Sequence, residues 1–223
     1  YRVVVTGAPA AVHADAELPG YEAVSGVSGN LISVGSDTLN NMMTLWTEGF
    51  ETFYPNGKVQ VEGKGSSTAP PALIEGTSQL GPMSREMKAS EIDAFESKFG
   101  YKPTKVAVGI DALAVFVNKD NPLDNISMRD LDSVFSSTYK RGGKPINRWS
   151  ELGVGGSLAD RAISLYGRNS ASGTYGFFKE VVLAGGDFSP SVKEQPGSSA
   201  VVQGIASDLS GIGYSGIGYA TSG

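Results

Sequence analysis

Short apolar segments typical of strands alternate with helical segments along the chain, which predicts an α/β fold whose mostly parallel sheets carry flanking helices. Four strand-to-helix junctions are rich in glycine and in hydroxyl residues. An apolar extended stretch at residues 106–117 separates two such groups of strands and helices. We therefore expect two lobes, with the chain crossing from the first lobe to the second at this stretch.

The first lobe is expected at residues 30–108. Its predicted strands are short and lie at residues 31–34, 58–62 and 79–83. A helix follows the first strand, because apolar residues recur at helical spacing from Leu39 to Phe53, and we expect its Trp46, Phe50 and Phe53 to lie in the core. Ser90 and Asp93 predict the capping box of a later helix. Three strand-to-helix junctions thus belong to this lobe.

The second lobe is expected at residues 109–223. Its helices are predicted from apolar spacing and capping residues at 127–135, 175–182 and 198–209. Residues 163–166 form a predicted strand that runs into the densest polar turn of the sequence, Arg168 to Thr174. The glycine-rich segment 211–219 is predicted to be a strand that packs closely beneath its neighbours. This lobe therefore contributes the fourth junction.

Residues 1–29 differ from the rest and are expected to be a leader. Small residues surround His13, which is typical of the end of an export signal. The alternative is a disordered leader, since residues 15–30 are rich in glycine, serine and proline and show neither structural period. The residues leave both interpretations open.

Composition excludes several classes of function. Lys plus Arg number 18 and Asp plus Glu number 23, so the formal net charge of −5 argues against nucleic-acid binding by a basic surface. The chain has no Cys and one His, so we expect no thiolate chemistry, no histidine-rich metal site and no cofactor. No run approaches the ~20 apolar residues of a membrane helix.

The four polar junctions predict a site for an anion rich in oxygen. In open α/β sheets, ligands bind at the carboxyl ends of strands, where helix N-termini point outward with unpaired N–H groups. The hydroxyls add donors without adding charge, while Arg85 and Arg168 would supply a forked positive group. Ser and Thr commonly do no more than cap helices. Four such junctions in one short chain favour the anion site.

These junctions resemble the periplasmic phosphate-binding proteins of phosphate ABC importers, with the periplasmic-binding-protein type II fold. The four segments that carry the resemblance are Gly-Ser-Asp-Thr-Leu, Gly-Ser-Ser-Thr-Ala-Pro, Gly-Pro-Met-Ser-Arg and Gly-Arg-Asn-Ser-Ala-Ser-Gly-Thr. The resemblance extends from about Gly29 to the end of the sequence. It implies an exported, non-catalytic, monomeric protein that closes on inorganic phosphate and delivers it to the permease subunits of an importer.

The resemblance also implies which residues bind phosphate. Thr38 would use its hydroxyl and N–H, Leu39 its N–H, and Ser66 its hydroxyl. In the second lobe, the family pattern Arg-x-x-x-Ser-Gly-Thr is matched by Arg168, Ser172, Gly173 and Thr174, which would also contact phosphate. The polar junctions themselves add their other hydroxyl and charged residues, so the full set of expected phosphate-binding residues is Ser36, Asp37, Thr38, Leu39, Ser66, Ser67, Ser84, Arg85, Arg168, Ser172, Gly173 and Thr174.

One departure concerns selectivity. Well-known relatives place an Asp where this chain has Ser84, and that carboxylate accepts the proton of bound phosphate. A group that only accepts hydrogen bonds disfavours sulfate, which has no proton to give. Our hypothesis is that Asp37 takes this role here. The alternative is that Asp37 only caps the following helix.

A second departure is length. Relatives continue with strands and helices that complete the first lobe, so the C-terminal part of that lobe is expected to be missing. An unpaired sheet edge and exposed apolar faces would then make the 223 residues marginally stable.

Three alternative functions remain at this point. Another tetrahedral oxyanion such as sulfate could replace phosphate. A hydrolase of phosphoryl or ester substrates could use a Ser nucleophile with Arg168, although His13 in the leader leaves it no histidine base. The third alternative is an interaction protein that keeps the fold for surface attachment. The glycines of residues 211–216 match a dinucleotide fingerprint formally, but no helix follows them.

Overall fold

A computed structural model describes residue 17 and residues 19–221. Most of the expected leader, residues 1–16 and 18, lies outside this range, so both interpretations of it stay predictions. No helix in the described part of the chain is long and apolar enough to cross a membrane.

The first lobe contains a two-stranded parallel sheet. Strands β1 (Gly29–Gly35) and β2 (Gly57–Gly63) pair along their full length, and helix α1 (Asn40–Phe53) connects them. The predicted third strand at residues 79–83 is wrong, because this segment makes only a single bridge, between Leu80 and Ser33. Gly81 and Pro82 interrupt it, and a proline has no N–H for a ladder.

Two helices complete the first lobe, α2 (Ala69–Glu75) and α3 (Ala89–Phe99). The predicted capping box at Ser90 and Asp93 is wrong in register. Lys88 is the N-cap of α3 instead, and the Glu91 carboxylate accepts a hydrogen bond of 2.8 Å from the Lys88 N–H.

The second lobe is built on a four-stranded sheet in the order β3-β6-β4-β5. Its strands are β3 (Leu113–Val117), β4 (Ser164–Arg168), β5 (Lys193–Gln195) and β6 (Gly211–Gly216). Its helices are α4 (Met128–Phe135), α5 (Gly173–Val181) and α6 (Ser198–Ala206). Only β3 runs antiparallel to its neighbour, so the prediction of mostly parallel sheets holds for the described strands.

The predicted extended stretch 106–117 forms a strand only in its last five residues, β3. Before it, the side chains of Val106 and Ile110 are exposed to solvent. The predicted boundary between the lobes, at residues 108 and 109, remains a prediction.

The main hydrophobic core lies in the second lobe. Phe135, Phe178 and Tyr214 pack ring against ring, and Trp149 is buried beside them. Strand β6 lies so close to its neighbours that a Cβ on Gly213 would stand 2.6 Å from the carbonyl oxygen of Tyr166. The predicted close packing of this glycine-rich strand is confirmed.

The apolar face of α1 is not core. No residue of this helix is buried, and Trp46 and Phe53 are about half exposed, at 46% and 49%. Phe50 packs only partly, against the ring of Tyr54. The expectation that Trp46, Phe50 and Phe53 form core is therefore wrong for this structure, where the two-stranded sheet covers only one side of the helix.

Candidate anion-binding site

The first junction lies between β1 and α1. Gly35 approaches the neighbouring segment so closely that a Cβ there would stand 2.1 Å from the Pro82 carbonyl oxygen, and the N–H of buried Ser36 donates to that oxygen at 2.8 Å. Thr38 follows, and Leu39 is the N-cap of α1 without a side-chain cap. The first N–H groups of a helix have no partner inside it. This junction can therefore offer N–H donors to an anion.

The second and third junctions meet in a cluster of serine hydroxyls. The Oγ atoms of Ser66 and Ser84 are 3.0 Å apart, and the Ser84 N–H donates to Ser66 Oγ at 3.1 Å. Ser36 Oγ donates to Ser84 Oγ at 3.4 Å. Three predicted residues from separate segments of the first lobe therefore share one small volume.

Arg85 is not part of this cluster. Its guanidinium makes two hydrogen bonds to the Glu91 carboxylate, at 2.8 and 2.9 Å, and a third to the Glu86 carbonyl oxygen. The structure thus directs Arg85 toward its own lobe, because Glu91 in the first turn of α3 supplies a closer anion. The Arg85 guanidinium also holds the pKa of the Glu91 carboxyl below its ordinary value.

The fourth junction places the start of α5 against the first lobe. Ser172 caps this helix by accepting from the Tyr175 N–H at 3.4 Å. A Cβ on Gly173 would stand 2.1 Å from Ser84 Oγ and 2.5 Å from Ser66 Oγ. The hydroxyl oxygens of Thr174 and Thr38 are 3.0 Å apart.

The second junction, which follows β2, also contacts the fourth junction through its backbone. The Ser67 N–H donates to the Ala171 carbonyl oxygen at 3.0 Å. One narrow contact between the lobes is therefore lined by Gly173 and by the hydroxyls of Ser36, Ser66, Ser84, Thr38 and Thr174.

Arg168 ends β4 and is almost wholly buried. Its two terminal nitrogens each lie 2.8 Å from an oxygen of the Asp37 carboxylate. The same guanidinium donates to the Ser198 hydroxyl at 3.0 Å and to the carbonyl oxygens of Gln195 and Pro196, both at 3.2 Å. The predicted Arg168 and Asp37 are therefore brought together, in direct contact with each other.

A buried tyrosine fixes the backbone at Arg168. The Arg168 N–H donates to the Tyr214 hydroxyl at 3.2 Å. Burial raises the pKa of Tyr214 well above its ordinary value, so this hydroxyl stays neutral at physiological pH.

Two residues of the arrangement were not among the predicted site residues. Ser198 is the first residue of α6, with Gly197 as the N-cap, and its place at the start of the predicted helix 198–209 is the signal that the sequence offers. Tyr219, in the glycine-rich segment, donates from its hydroxyl to the carbonyl oxygens of Asp37 and Thr38, at 3.4 and 3.3 Å. Burial, and then the nearby charge of Asp37, raise the pKa of Tyr219. Nothing in its local sequence pattern pointed to this contact.

Asp37 and Arg168 neutralise each other at this contact. Hydroxyls, N–H groups and backbone carbonyl oxygens surround the pair. No group of three or more metal-binding side chains occurs within the described residues. The arrangement suits a small anion held by directed hydrogen bonds.

Comparison with known proteins shows the family of this chain. The model of the PBP superfamily domain matches residues 21–222. The chain is 57% identical over 218 residues to the phosphate-binding protein PstS of Pseudomonas aeruginosa PAO1, covering 97% of this chain and 68% of that protein.

Solved structures show the same fold. A phosphate ABC transporter substrate-binding protein with bound phosphate from Clostridium perfringens is similar with a TM-score of 0.72 and 25% identity, covering 86% of this chain and 72% of that one. An ABC-type phosphate transport receptor from Vibrio cholerae gives a TM-score of 0.61 at 21% identity, covering 85% and 72%. The chain therefore belongs to the PBP superfamily, and within it to the family of PstS phosphate-binding proteins.

Proposed function

We propose that this chain is the substrate-binding component of a phosphate ABC importer and captures inorganic phosphate between its two lobes. The observation that carries this proposal is the convergence of the four polar junctions. Thr38, Ser66 and Ser84 of the first lobe lie against Gly173 and Thr174 of the second. Family membership supports the same conclusion.

The groups present can hold a tetrahedral dianion without a net positive site. The N–H groups at the starts of α1 and α5 carry partial positive charge, and each hydroxyl can turn to donate. A hydrogen bond to a charged group contributes about 1.5–3 kcal/mol. Four or five such bonds, less the cost of ordering the ligand, are sufficient for the roughly −8 kcal/mol of micromolar binding.

Arg168 binds the anion in this proposal while it keeps part of its pairing with Asp37. The Asp37 Oδ1 atom accepts one hydrogen bond, from Arg168, and a carboxylate oxygen can accept two. We propose that the free lone pair accepts the proton of bound phosphate, since Ser84 occupies the position of the carboxylate in well-known relatives. Sulfate has no proton to give, so the same lone pair would repel it.

We propose further that the protein works in the periplasm as a monomer, that it passes phosphate to permease subunits, and that it has no hydrolytic activity. A serine nucleophile needs a base to take its proton. At this site the Ser66 and Ser84 hydroxyls bond to each other, and the Asp37 carboxylate faces Arg168.

Titration calorimetry with phosphate, arsenate and sulfate tests the function. We expect saturable binding of phosphate and arsenate at one site per chain, and binding of sulfate weaker by at least about tenfold. Sulfate binding as tight as phosphate binding would assign the site to oxyanions in general. Release of nitrophenol from nitrophenyl phosphate would contradict the non-enzymatic assignment.

The role of Asp37 in selectivity is tested by Asp37→Asn. The amide presents a donor to an oxyanion, so we expect phosphate and sulfate affinities to become similar. Asp93→Asn, at an exposed position of α3, is the matched control and should keep the preference for phosphate. An unchanged preference in Asp37→Asn would refute this role.

A further inference from the structure

The ion pair between Asp37 and Arg168 joins segments 131 residues apart, one in the loop before α1 and the other at the end of β4. Asp37 follows β1 of the two-stranded sheet and Arg168 ends β4 of the four-stranded sheet, so the two partners come from different lobes. The side chains are 14% and 1% exposed, respectively. A pair this deeply buried is screened little by salt.

With this pair formed, each of the three guanidinium nitrogens of Arg168 has an oxygen partner. Nε faces the Gln195 carbonyl oxygen, and the terminal nitrogens face Asp37, Ser198 and the Pro196 carbonyl oxygen. All the neutral partners come from the second lobe. The counter-charge comes from Asp37, in the first lobe. A buried guanidinium without a counter-charge is strongly unfavourable.

Further contacts hold the same loop on the second lobe. The Asp37 Oδ2 atom accepts from the Ser198 N–H at 3.3 Å, at the start of the nine-residue helix α6, whose first turn carries no acidic residue. The Tyr219 hydroxyl donates to two carbonyl oxygens of the loop. The closed arrangement is thus tied together by groups of the protein itself.

We propose that the Asp37–Arg168 pair is a latch that keeps the lobes closed in the absence of phosphate. Asp37 acts as an internal anion that supplies the negative charge Arg168 requires. As a corollary that rests on the proposed function, entering phosphate accepts hydrogen bonds from Arg168 alongside Asp37 and replaces part of the ion pair. The latch itself is argued from the ion pair and does not depend on that function.

Double electron–electron resonance on the full chain measures this closure. The chain has no Cys, so pairs of introduced cysteines carry the only spin labels. Lys64→Cys with Gln203→Cys, and Ser97→Cys with Gln203→Cys, place exposed labels on opposite lobes. We expect phosphate-free wild type to show the same distance as the phosphate-bound protein. In Asp37→Asn the ratio of open to closed molecules should rise at least about tenfold, as expected for the loss of charge-assisted hydrogen bonds.

Two variants control for indirect effects. Glu91→Gln removes the bidentate ion pair between Arg85 and Glu91 inside the first lobe and should leave the distances between the spin labels unchanged. Asp37→Glu keeps the charge and should keep the closed population above that of Asp37→Asn. Thermal melts of all variants establish that each lobe is folded.

The results separate the latch from the function. Open wild type without phosphate, or equal distances in wild type and Asp37→Asn, overturns the latch. A longer distance in phosphate-free Asp37→Asn supports the latch whether or not phosphate binds. If phosphate then produces neither heat with wild type nor closure of the variant, the proposed function fails while the latch stands.

Discussion

The substitution Gly173→Ala probes the contact between the lobes with a single methyl group. The added Cβ would stand 2.1 Å from Ser84 Oγ, 2.5 Å from Ser66 Oγ and 3.1 Å from Ser66 Cβ. Rotation of Ser84 would relieve the shortest contact but would break its hydrogen bond to Ser66. Ser66 is fully buried and has no room to withdraw. The lobes must therefore separate at this point.

The size of the effect follows from the distances. Ordinary van der Waals contact requires a separation larger by roughly 1 Å. That displacement would stretch the 3.0 Å contacts between Thr38 and Thr174, and between Ser67 and Ala171, beyond hydrogen-bonding range. Two neutral hydrogen bonds contribute about 1–3 kcal/mol together. We therefore expect phosphate affinity to fall roughly 10- to 100-fold, since each 1.4 kcal/mol is a factor of ten.

Titration calorimetry of Gly173→Ala with phosphate measures this loss. Gly176→Ala is a matched control on the same helix, because a Cβ on Gly176 meets no atom within 4 Å. The control should bind phosphate normally and gain up to about 1 kcal/mol in free energy of unfolding from better helix propensity. Affinity of Gly173→Ala within threefold of wild type, with both proteins folded, would refute the tight closure of the lobes on this glycine.

Two further predictions concern stability. The pKa of Glu91 is lower in the folded protein than in the unfolded chain, so its pair with Arg85 stabilises the protein above about pH 4.5. This stabilisation is lost as the pH falls through the folded pKa. Glu91→Gln should therefore lower the melting temperature at pH 7 and have little effect near pH 2; an equal loss at both values would contradict the assignment. Tyr214→Phe removes the hydroxyl that accepts from the buried Arg168 N–H, so we expect the free energy of unfolding to fall by about 1–3 kcal/mol. Denaturant titration checks this, and a variant as stable as wild type would show that another group satisfies that N–H.

Local sequence patterns predicted most elements because they depend on neighbours in the chain. The Ser127 hydroxyl caps α4 by accepting from the Asp130 N–H at 3.0 Å, at the start predicted for the helix 127–135. Gly100 ends α3 in the left-handed conformation. Apart from the register of the α3 capping box, the failures occurred where the interaction partner lies far away in the sequence. The segment 79–83 depended on pairing with β1, and the apolar face of α1 depended on what packs over it.

The sequence by itself determined the chemistry of the site, since hydroxyls, glycines and Arg168 at strand-to-helix junctions specify an anion-binding surface whichever way the lobes meet. Tertiary structure decided which charges take part. Arg85 and Arg168 follow similar polar turns, yet Arg85 pairs with Glu91 six residues away, and Arg168 pairs with Asp37 across the lobes. A guanidinium binds the nearest carboxylate that folding brings to it, and that proximity is a property of three-dimensional packing.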